Sequence, residues 1–383
     1  MGAHRWFGVG QADGSKAGAR AADRALLHPG AKLMIVFCSD GCDLPEVLRQ
    51  VDDRSGGVPL IGCATSGVIG PERTGAGSVV VTALGGDGFS IGTAAAGQAS
   101  RDLRGAGARA ARCLSATEER PHRVLVLLID GLAGDQREVL RGVYRVLGAG
   151  VPLVGGCVGD EVRTRTAQLH RDQVLTDAVV AAGIGSDAPL GIGVRHGWRR
   201  VGEPMLVTGS GGNRVHTLDG RPALDVYLER LGAEAEGIDP EAFARLALVH
   251  PLGLGTRGGE EEIRLVAGAD FDDRSLACIA EVPQAALAWL MEGDADSLRR
   301  AGSAACRDSL EALGGRAPLG TFAFECIGRR PVLGEEGVAA EIDEIVRCTG
   351  GAPVAGLHTY GEIARKHGVT GFHNQTLVML SVG

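Results

Sequence analysis

The sequence feature that most constrains the fold is a glycine-rich stretch that occurs twice. Residues 150–161 read G-V-P-L-V-G-G-C-V-G-D-E, and residues 57–67 read G-V-P-L-I-G-C-A-T-S-G. Each stretch begins with a short apolar run typical of a buried strand and ends in glycines, which let the backbone approach its surroundings closely. The pattern therefore predicts two strands whose ends contact either another strand or a ligand.

The segments around the two stretches also match, which indicates an internal repeat. An apolar strand and a helix precede each stretch, and a second apolar strand follows it. These segments are 33–38, 46–49 and 79–84 around the first stretch, and 124–129, 138–141 and 178–184 around the second. A third, fainter copy has strands at 321–327, 352–357 and 374–382 and a helix at 338–347.

Each such unit has an apolar face that it cannot bury alone, so we expect the units to pack together in shared layers. The prediction is an α/β (mixed α+β) fold with two packed halves of repeated strand–helix–strand–strand units, in which helices flank mixed sheets. The predicted segments are an N-terminal strand and helix at 1–30, a first domain at 31–216 with repeats at 32–97 and 123–196, and a second domain at 217–383. The polar, acidic segment 232–240 is the favoured linker.

Composition excludes several classes of protein. The net charge is −8 and the sequence contains no basic block, which argues against nucleic-acid binding. The nine cysteines form no repeated C-x-x-C pattern, which is typical of a reduced, cytoplasmic protein. The N-terminus has no apolar secretion signal and no apolar run is long enough to cross a bilayer. We therefore expect a cytoplasmic protein without membrane insertion.

Several motifs, taken in order, resemble the FIST family, a bacterial sensory module with an N-terminal and a C-terminal part. The N-terminal pattern is found at 150–161, 195–198, 207–213 and 218–227. The C-terminal pattern is found at 250–253, 263–264, 324–329, 359–363 and 373–377. The resemblance covers the chain from about residue 30 to its end, and it depends on the order of the motifs rather than on any single one.

This resemblance implies a sensor of a small ligand, such as an amino acid or a similar charged metabolite, that acts in signal transduction. It also implies an output partner that is a histidine kinase, a cyclic-di-nucleotide enzyme or a chemoreceptor. Because the sequence carries no output domain, we expect the signal to pass to a separate protein.

The candidate ligand-binding residues are charged or polar side chains that lie on predicted strands or near their ends. They are Asp160, Glu161, Arg264, Arg329, Tyr360, Glu362, His373 and Asn374. An arginine fork binds a carboxylate through two hydrogen bonds, which suits Arg264 and Arg329, although an ion pair between strands is the alternative for each. Glu362 suits an α-ammonium group that Asn374 would orient. Asp160 and Glu161 follow strand-end glycines, where they either line a pocket or cap a turn.

Two alternatives to this function remain open. The first, which the family resemblance also implies, is a haem-binding nitric oxide sensor. His196, His250 and His373 are its candidate iron ligands, and a structural, hydrogen-bonded role is the alternative for each. The sequence has no C-x-x-C-H motif for covalent haem attachment, and no histidine and cysteine have the spacing of a zinc site. Apart from this alternative, we expect no cofactor and no metal.

The second alternative is a cysteine-dependent hydrolase or transferase. Cys157 lies in a G-x-C-x-G pattern, which is the spacing of a nucleophile elbow with cysteine in place of serine. That motif requires a helix directly after the nucleophile, and residues 160–166 do not have a helical pattern. We therefore expect a binding protein rather than an enzyme, with Cys157 as the candidate nucleophile under the enzymatic alternative.

Overall fold

Within the described residues, the chain contains three copies of one unit. The computed structural model describes residues 5–160, 164–232, 238–255, 261–366 and 371–383. Unit 1 consists of β1 (Trp6–Asp13), α1 (Ala17–Ala25), β2 (Ala31–Ser39), α2 (Leu44–Ser55), β3 (Leu60–Thr65), β4 (Val68–Ile69) and β5 (Ser78–Gly85). Unit 2 consists of β6 (Phe89–Gly97), α3 (Leu103–Ala111), β7 (His122–Asp130), α4 (Gln136–Leu147), β8 (Leu153–Val158), β9 (Ala167–His170), β10 (Gln173–Leu175) and β11 (Ala178–Ser186). Short 3-10 helices at Ala99–Arg101 and Arg112–Thr117 flank α3.

Unit 3 is interrupted after its first strand, β12 (Leu190–Arg195). Residues 199–292 form an inserted module that contains β13 (Arg199–Gly211), β14 (Arg214–Leu218), β15 (Arg221–Pro222), α5 (Ala223–Arg230), α6 (Pro240–Leu248), β16 (Leu252–Gly255), β17 (Glu261–Arg264), β18 (Val266–Asp270), β19 (Ser275–Cys278) and β20 (Leu287–Glu292). Unit 3 then continues with α7 (Ala295–Glu311), β21 (Gly320–Cys326), a 3-10 helix (Ile327–Arg329), α8 (Arg330–Cys348), β22 (Val354–Thr359), β23 (Glu362–Arg365), β24 (Phe372–His373) and β25 (Leu377–Val382).

An aspartate side chain caps one helix of each unit. Asp43, Asp135 and Asp294 precede α2, α4 and α7, and each accepts a hydrogen bond from a backbone N–H of the first helical turn. Such a cap satisfies a donor that the helix itself leaves unpaired. Helix α2 ends at Gly56, which adopts the left-handed conformation with φ 67°.

The centre of each unit's sheet is a parallel pair of strands. The parallel pairs are β2–β3, β7–β8 and β21–β22. An antiparallel strand lies beside the first strand of each pair, namely β5, β11 and β25. Helices pack in pairs outside the sheets, α1 with α2, α3 with α4 and α7 with α8. This arrangement of mixed sheets flanked by helices confirms the predicted α/β class.

A short strand of each unit crosses into the sheet of another unit. Strand β4 of unit 1 pairs with β22 of unit 3, β23 of unit 3 pairs with β8 of unit 2, and β9 of unit 2 pairs with β3 of unit 1. The exchange is therefore cyclic, and the sheet of each unit is completed by a strand from a different unit. The ends of the three glycine-rich strands β3, β8 and β22 meet at this exchange.

Side chains alternate between two cores along the central strands, as a strand's period of two requires. On β2, Leu33, Ile35 and Phe37 join an inner core that all three sheets share, whereas Met34 and Val36 face the helices α1 and α2. Burial of each such side chain contributes about 1.5–3 kcal/mol, so the shared core stabilises all three units together.

The inserted module is a curled sheet with its own core. Its strand order is β17-β16-β20-β13-β14-β19-β18, and β15 pairs with β14. Tyr227 of α5 and Phe243 of α6 lie in this core. Helix α6 ends at Leu248, and strand β16 begins at Leu252. Part of the predicted linker, 233–237, lies outside the described residues, and the predicted domain boundary at residue 217 stays a prediction.

Candidate functional site

The glycines of the repeated stretch allow two strands to lie in close contact. Gly155 on β8 has φ +140°, and a Cβ atom at this position would overlap the Leu127 carbonyl oxygen of β7. At the end of β8, the Gly159 carbonyl accepts a hydrogen bond of 3.1 Å from the Ser66 N–H, which follows β3. The two glycine-rich stretches therefore meet each other at the exchange of strands.

Asp160 caps the turn after β8. Its carboxylate accepts hydrogen bonds from the Thr164 N–H (2.6 Å), the Arg165 N–H (3.0 Å) and the Thr164 hydroxyl (2.9 Å). Desolvation acts to raise the pKa of Asp160, but these hydrogen bonds outweigh it and the pKa is lowered. The Asp160 carbonyl also accepts a bond of 2.6 Å from the Tyr360 hydroxyl. Its neighbour Glu161, the other acidic candidate, lies outside the described residues.

Cys157 is a core residue of β8. Its side chain is 1% exposed, and burial raises the pKa of the thiol well above its ordinary value, with the nearby carboxylates Glu362 and Asp130 adding to the effect. The thiolate is the nucleophilic form of cysteine, and this environment disfavours it. The residue after Cys157 is still on the strand, so the helix that a nucleophile elbow requires does not follow. The geometry therefore gives no support to a Cys157 nucleophile.

Three C-terminal candidates lie side by side where β23 pairs with β24. Glu362 is fully buried opposite His373, and its carboxylate accepts hydrogen bonds from the Thr359 hydroxyl (2.6 Å) and from the Thr376 hydroxyl and N–H (2.8 and 3.1 Å). Burial raises the pKa of Glu362 to about 7. The Asn374 amide donates to the His373 carbonyl, whereas its own buried Oδ1 has no hydrogen-bond partner among the described residues.

Arg329 lies in the interior of unit 3. Its guanidinium donates to the Glu325 carboxylate (3.0 Å), to both oxygens of Glu341 (3.0 and 2.6 Å) and to the Leu298 carbonyl (2.9 Å). Burial raises the pKa of Glu341 to about 8, against the opposing effect of Arg329. The cluster joins β21, α7 and α8, so its geometry is that of a buried structural ion pair.

Arg264 lies on the wall of a cavity of about 160 Å³ between unit 2 and the inserted module. We call it the arginine cavity, and its lining residues are Arg137, Leu140, Arg141, Tyr144, Glu262, Arg264, Gly371 and Phe372. One wall belongs to α4, the opposite wall to β17, and Phe372 of β24 contributes apolar surface. The cavity therefore combines three guanidinium groups and one carboxylate with apolar side chains.

The Arg264 guanidinium is held in place from three directions. It is 2% exposed and donates to the Glu281 carbonyl (3.0 Å), to the Ile263 carbonyl (3.0 Å) and to the Glu262 carboxylate (2.7 Å). These bonds fix the orientation of the guanidinium on the cavity wall, an arrangement that suits an anion.

Arg137 and Arg141, one helical turn apart on α4, complete the positive wall. The Glu281 carboxylate lies 2.9 Å from Arg137 Nη1 and 3.6 Å from Arg141 Nη2. Arg141 also pairs with the Glu138 carboxylate, so with Glu262 the group contains three guanidiniums and three carboxylates. The sequence analysis missed Arg137, Arg141 and Glu281, because polar residues on an amphipathic helix usually indicate its solvent-exposed face. The spacing of four residues between the two arginines was the available signal.

Tyr360 lies on a neighbouring cavity of about 430 Å³ at the beginning of α4. Its lining also includes Gly131, Asp135, Gln136, Asn213 and Glu281. Glu281 therefore contributes to this cavity while its carboxylate pairs with the arginines of the other one. Of the eight candidates, Arg264 and Tyr360 are brought to this region, whereas Asp160, Arg329, Glu362, His373 and Asn374 are not among the residues that line either cavity.

The candidate haem ligands lie in three different segments. His196 follows β12, and its Nδ1 accepts a hydrogen bond of 3.0 Å from the Trp198 N–H. His250 follows α6, and its Nδ1 lies 2.8 Å from the Leu246 carbonyl oxygen. His373 of β24 has its Nε2 2.9 Å from the Ala364 carbonyl. In the part of the chain that the structure describes, no group of three or more His, Cys, Asp or Glu side chains is arranged to hold a metal ion. The described helices include none that is both long and apolar enough to span a bilayer.

Comparison with known proteins finds two family models that cover most of the chain. The FIST N domain model matches residues 32–221 and the FIST C domain model matches residues 223–365. Among curated proteins, Mb0898c of Mycobacterium bovis is 32% identical and Rv0628c of Mycobacterium tuberculosis is 30% identical, each over 240 residues; both are described as uncharacterized. The matched region spans 60% of this chain and 60% of each relative.

A solved structure of a cyanuric acid hydrolase from A. caulinodans covers 99% of this chain and 99% of its own, with 10% sequence identity and a TM-score of 0.39. A similarity of this size supports no inference about activity.

Proposed function

Because this chain belongs to the FIST family, whose N and C domains imply a sensory role in signal transduction, we propose that it binds a small metabolite with a carboxylate group in the arginine cavity. The class of ligand that we favour is an amino acid or a similar small charged molecule. The observation that carries this proposal is the buried Arg264 guanidinium, which three acceptors orient on the cavity wall.

Charge and size both support this class of ligand. A carboxylate suits the guanidiniums of Arg137, Arg141 and Arg264, and the Glu262 carboxylate offers a partner for an α-ammonium group. Leu140 and Phe372 would contact an apolar side chain. Micromolar affinity requires a binding free energy of about −8 kcal/mol, which is a large contribution per atom for a molecule of about ten heavy atoms. Hydrogen bonds to partly buried, preorganised charged groups can contribute this much binding free energy per atom.

The position of the cavity suggests how binding produces a signal. Its walls belong to α4 of unit 2 and to the inserted module, and the Arg137–Glu281 ion pair joins them. A ligand that binds both walls changes the free energy of their contact, which is the differential binding that any switch needs. We propose that a separate cytoplasmic protein reads this change, and that this protein is a histidine kinase, a cyclic-di-nucleotide enzyme or a chemoreceptor.

A thermal-shift screen of the purified protein tests the proposal. The panel contains amino acids, small mono- and dicarboxylates, and hemin. A ligand at one hundred times its Kd adds about 2.7 kcal/mol to stability, so a specific hit raises the Tm visibly. We expect Arg137→Gln to abolish the shift, and the matched control Arg145→Gln, on the exposed face of the same helix, to keep it.

Two outcomes would overturn the proposal. If no carboxylate shifts the Tm, or if both variants respond like the wild type, the arginine cavity is not the ligand site. If hemin alone binds and gives a Soret band, the haem alternative replaces it, and His196, His250 and His373 become the residues to substitute.

A further inference from the structure

Cys38 and Cys42 are a pair of neighbouring thiols at the beginning of α2. Cys38 is fully buried near the end of β2, and Cys42 is half-buried in the turn that leads to the helix. Gly41 between them has φ +89°, which turns the chain back, and each thiol is the largest influence on the pKa of the other. The Cys42 thiol also donates a hydrogen bond of 3.7 Å to the Ser78 carbonyl. Both cysteines lie on the side of the sheet that faces α1 and α2.

The two thiols lie in contrasting environments. Cys42 lines a cavity of about 560 Å³ that reaches to Asp160 and a second cavity of about 420 Å³, so small molecules have access to it. It directly precedes Asp43, the N-cap of the twelve-residue helix α2, whose positive end favours a thiolate. The interaction with Cys38 is the largest effect on the pKa of Cys42 and lowers it, against the opposing effects of burial and of the Asp13 and Asp40 carboxylates. The same interaction and burial raise the pKa of Cys38.

We propose that Cys38 and Cys42 form a peroxide-sensitive dithiol that closes reversibly to an intramolecular disulfide. The Cys42 thiolate attacks one oxygen of hydrogen peroxide, the O–O bond breaks, and the leaving hydroxide takes a proton to become water. The Cys38 sulfur then attacks the Cys42 sulfenic acid, its proton passes to the leaving hydroxyl, and a second water forms. The two sulfurs are oxidised by two electrons in total, and peroxide is reduced to two waters.

Other cysteines of the chain differ from this pair in environment. Burial raises the pKa of the Cys63 thiol and raises that of Cys278 to about 12, which disfavours reaction. Cys306 of α7 and Cys348 of α8 form another neighbouring pair of thiols, in which the Cys306 Sγ lies 4.0 Å from the Ile345 carbonyl. That second pair is therefore the matched comparison for the first.

Peroxide treatment of the reduced full-length protein, followed by intact mass and peptide mapping, tests this proposal. Both cysteines fall in one tryptic peptide, residues 33–49, because the preceding Lys32 and Arg49 are cleavage sites. We expect this peptide to lose two hydrogen atoms and to regain them with dithiothreitol. Cys42→Ser should slow the reaction of this peptide by at least about tenfold, whereas Cys306→Ser should leave it unchanged.

A second variant separates the two chemical steps. In Cys38→Ala, which keeps a small apolar group in the core, the Cys42 sulfenic acid has no resolving thiol and should be trapped by dimedone. The proposal is overturned if peroxide leaves the 33–49 peptide unchanged, if it adds only oxygen atoms to that peptide in the wild type, or if the Cys38→Ala variant gives no dimedone adduct at Cys42.

Discussion

Glu281 of the inserted module lies 2.9 Å from Arg137 of helix α4, and this ion pair joins the two walls of the arginine cavity. The same carboxylate is 3.6 Å from Arg141, so one acidic group faces two of the three arginines of the cavity. An anionic ligand in the proposed site would therefore share these arginines with Glu281 or displace it. In either case its binding would be energetically coupled to the contact between the module and unit 2.

The first prediction follows from this competition. Glu281→Gln removes a negative charge that competes with the ligand carboxylate, and the removal of one such partly exposed charge is worth about 1 kcal/mol. We therefore expect about fivefold tighter binding of the carboxylate that gives the largest thermal shift, measured by isothermal titration calorimetry. Glu203→Gln, an exposed carboxylate of the same module, is the control. Weaker binding in Glu281→Gln than in this control would contradict the competition.

The repeat could be predicted from sequence because it depends on local patterns. Apolar runs, helix starts and the proline-to-glycine spacing recur in order, and β2, α2, β7 and α4 formed where they were predicted. The cyclic exchange of β4, β9 and β23 could not be predicted in this way. These strands contain only two to four residues, and their partners are fixed by long-range pairing rather than by their own pattern.

The candidate site was predictable only in part, for a related reason. Arg264 could be singled out because it alternates with apolar neighbours, and it does lie on a cavity wall. Arg137 and Arg141 have the pattern of a solvated helix face, and only the position of the inserted module places them inside a cavity. Arg329 and Glu362 attracted attention as charged groups, yet their partners Glu341 and Thr376 are brought to them by tertiary packing.

A second prediction concerns Gly155, which allows β8 to lie in close contact with β7. Gly155→Ala introduces a side chain at φ +140° and places it against the Leu127 carbonyl oxygen, so both backbone strain and overlap oppose folding. We expect a loss of at least about 3 kcal/mol in the free energy of unfolding, measured by urea denaturation. Gly150→Ala, where an added Cβ meets nothing within 4 Å, should change stability by less than about 1 kcal/mol. Equal stabilities for the two variants would contradict this account of the motif.

A third prediction separates a structural from a ligand-binding role for Arg329. Arg329→Met leaves the buried carboxylates of Glu325 and Glu341 without their cation, which typically costs about 3–5 kcal/mol. Arg307→Met, on the exposed face of α7, should cost less than about 0.5 kcal/mol in the same denaturation experiment. An Arg329→Met protein of wild-type stability that no longer responds to the carboxylate panel would instead identify Arg329 as a ligand contact.

The last prediction concerns the pH dependence of stability. Burial raises the pKa of Glu362 to about 7 from an ordinary value of 4.5, so the folded protein holds a proton that the unfolded chain releases. Its contribution to stability is therefore complete below about pH 4.5 and is lost as the pH rises through about 7, a change of about 3 kcal/mol. Glu341, whose pKa is raised to about 8, acts in the same direction.

Urea denaturation between pH 5 and pH 8 measures this slope. The Glu362→Gln side chain has no proton to release. We therefore expect the stability of this variant to fall by about 2.5 kcal/mol less than that of the wild type between pH 5 and pH 8. Glu335→Gln replaces a carboxylate whose side chain is 83% exposed, and it should keep the wild-type slope. If Glu362→Gln and the wild type lose stability in parallel, Glu362 is ionised in the folded protein throughout, and its three hydrogen-bond donors outweigh its desolvation.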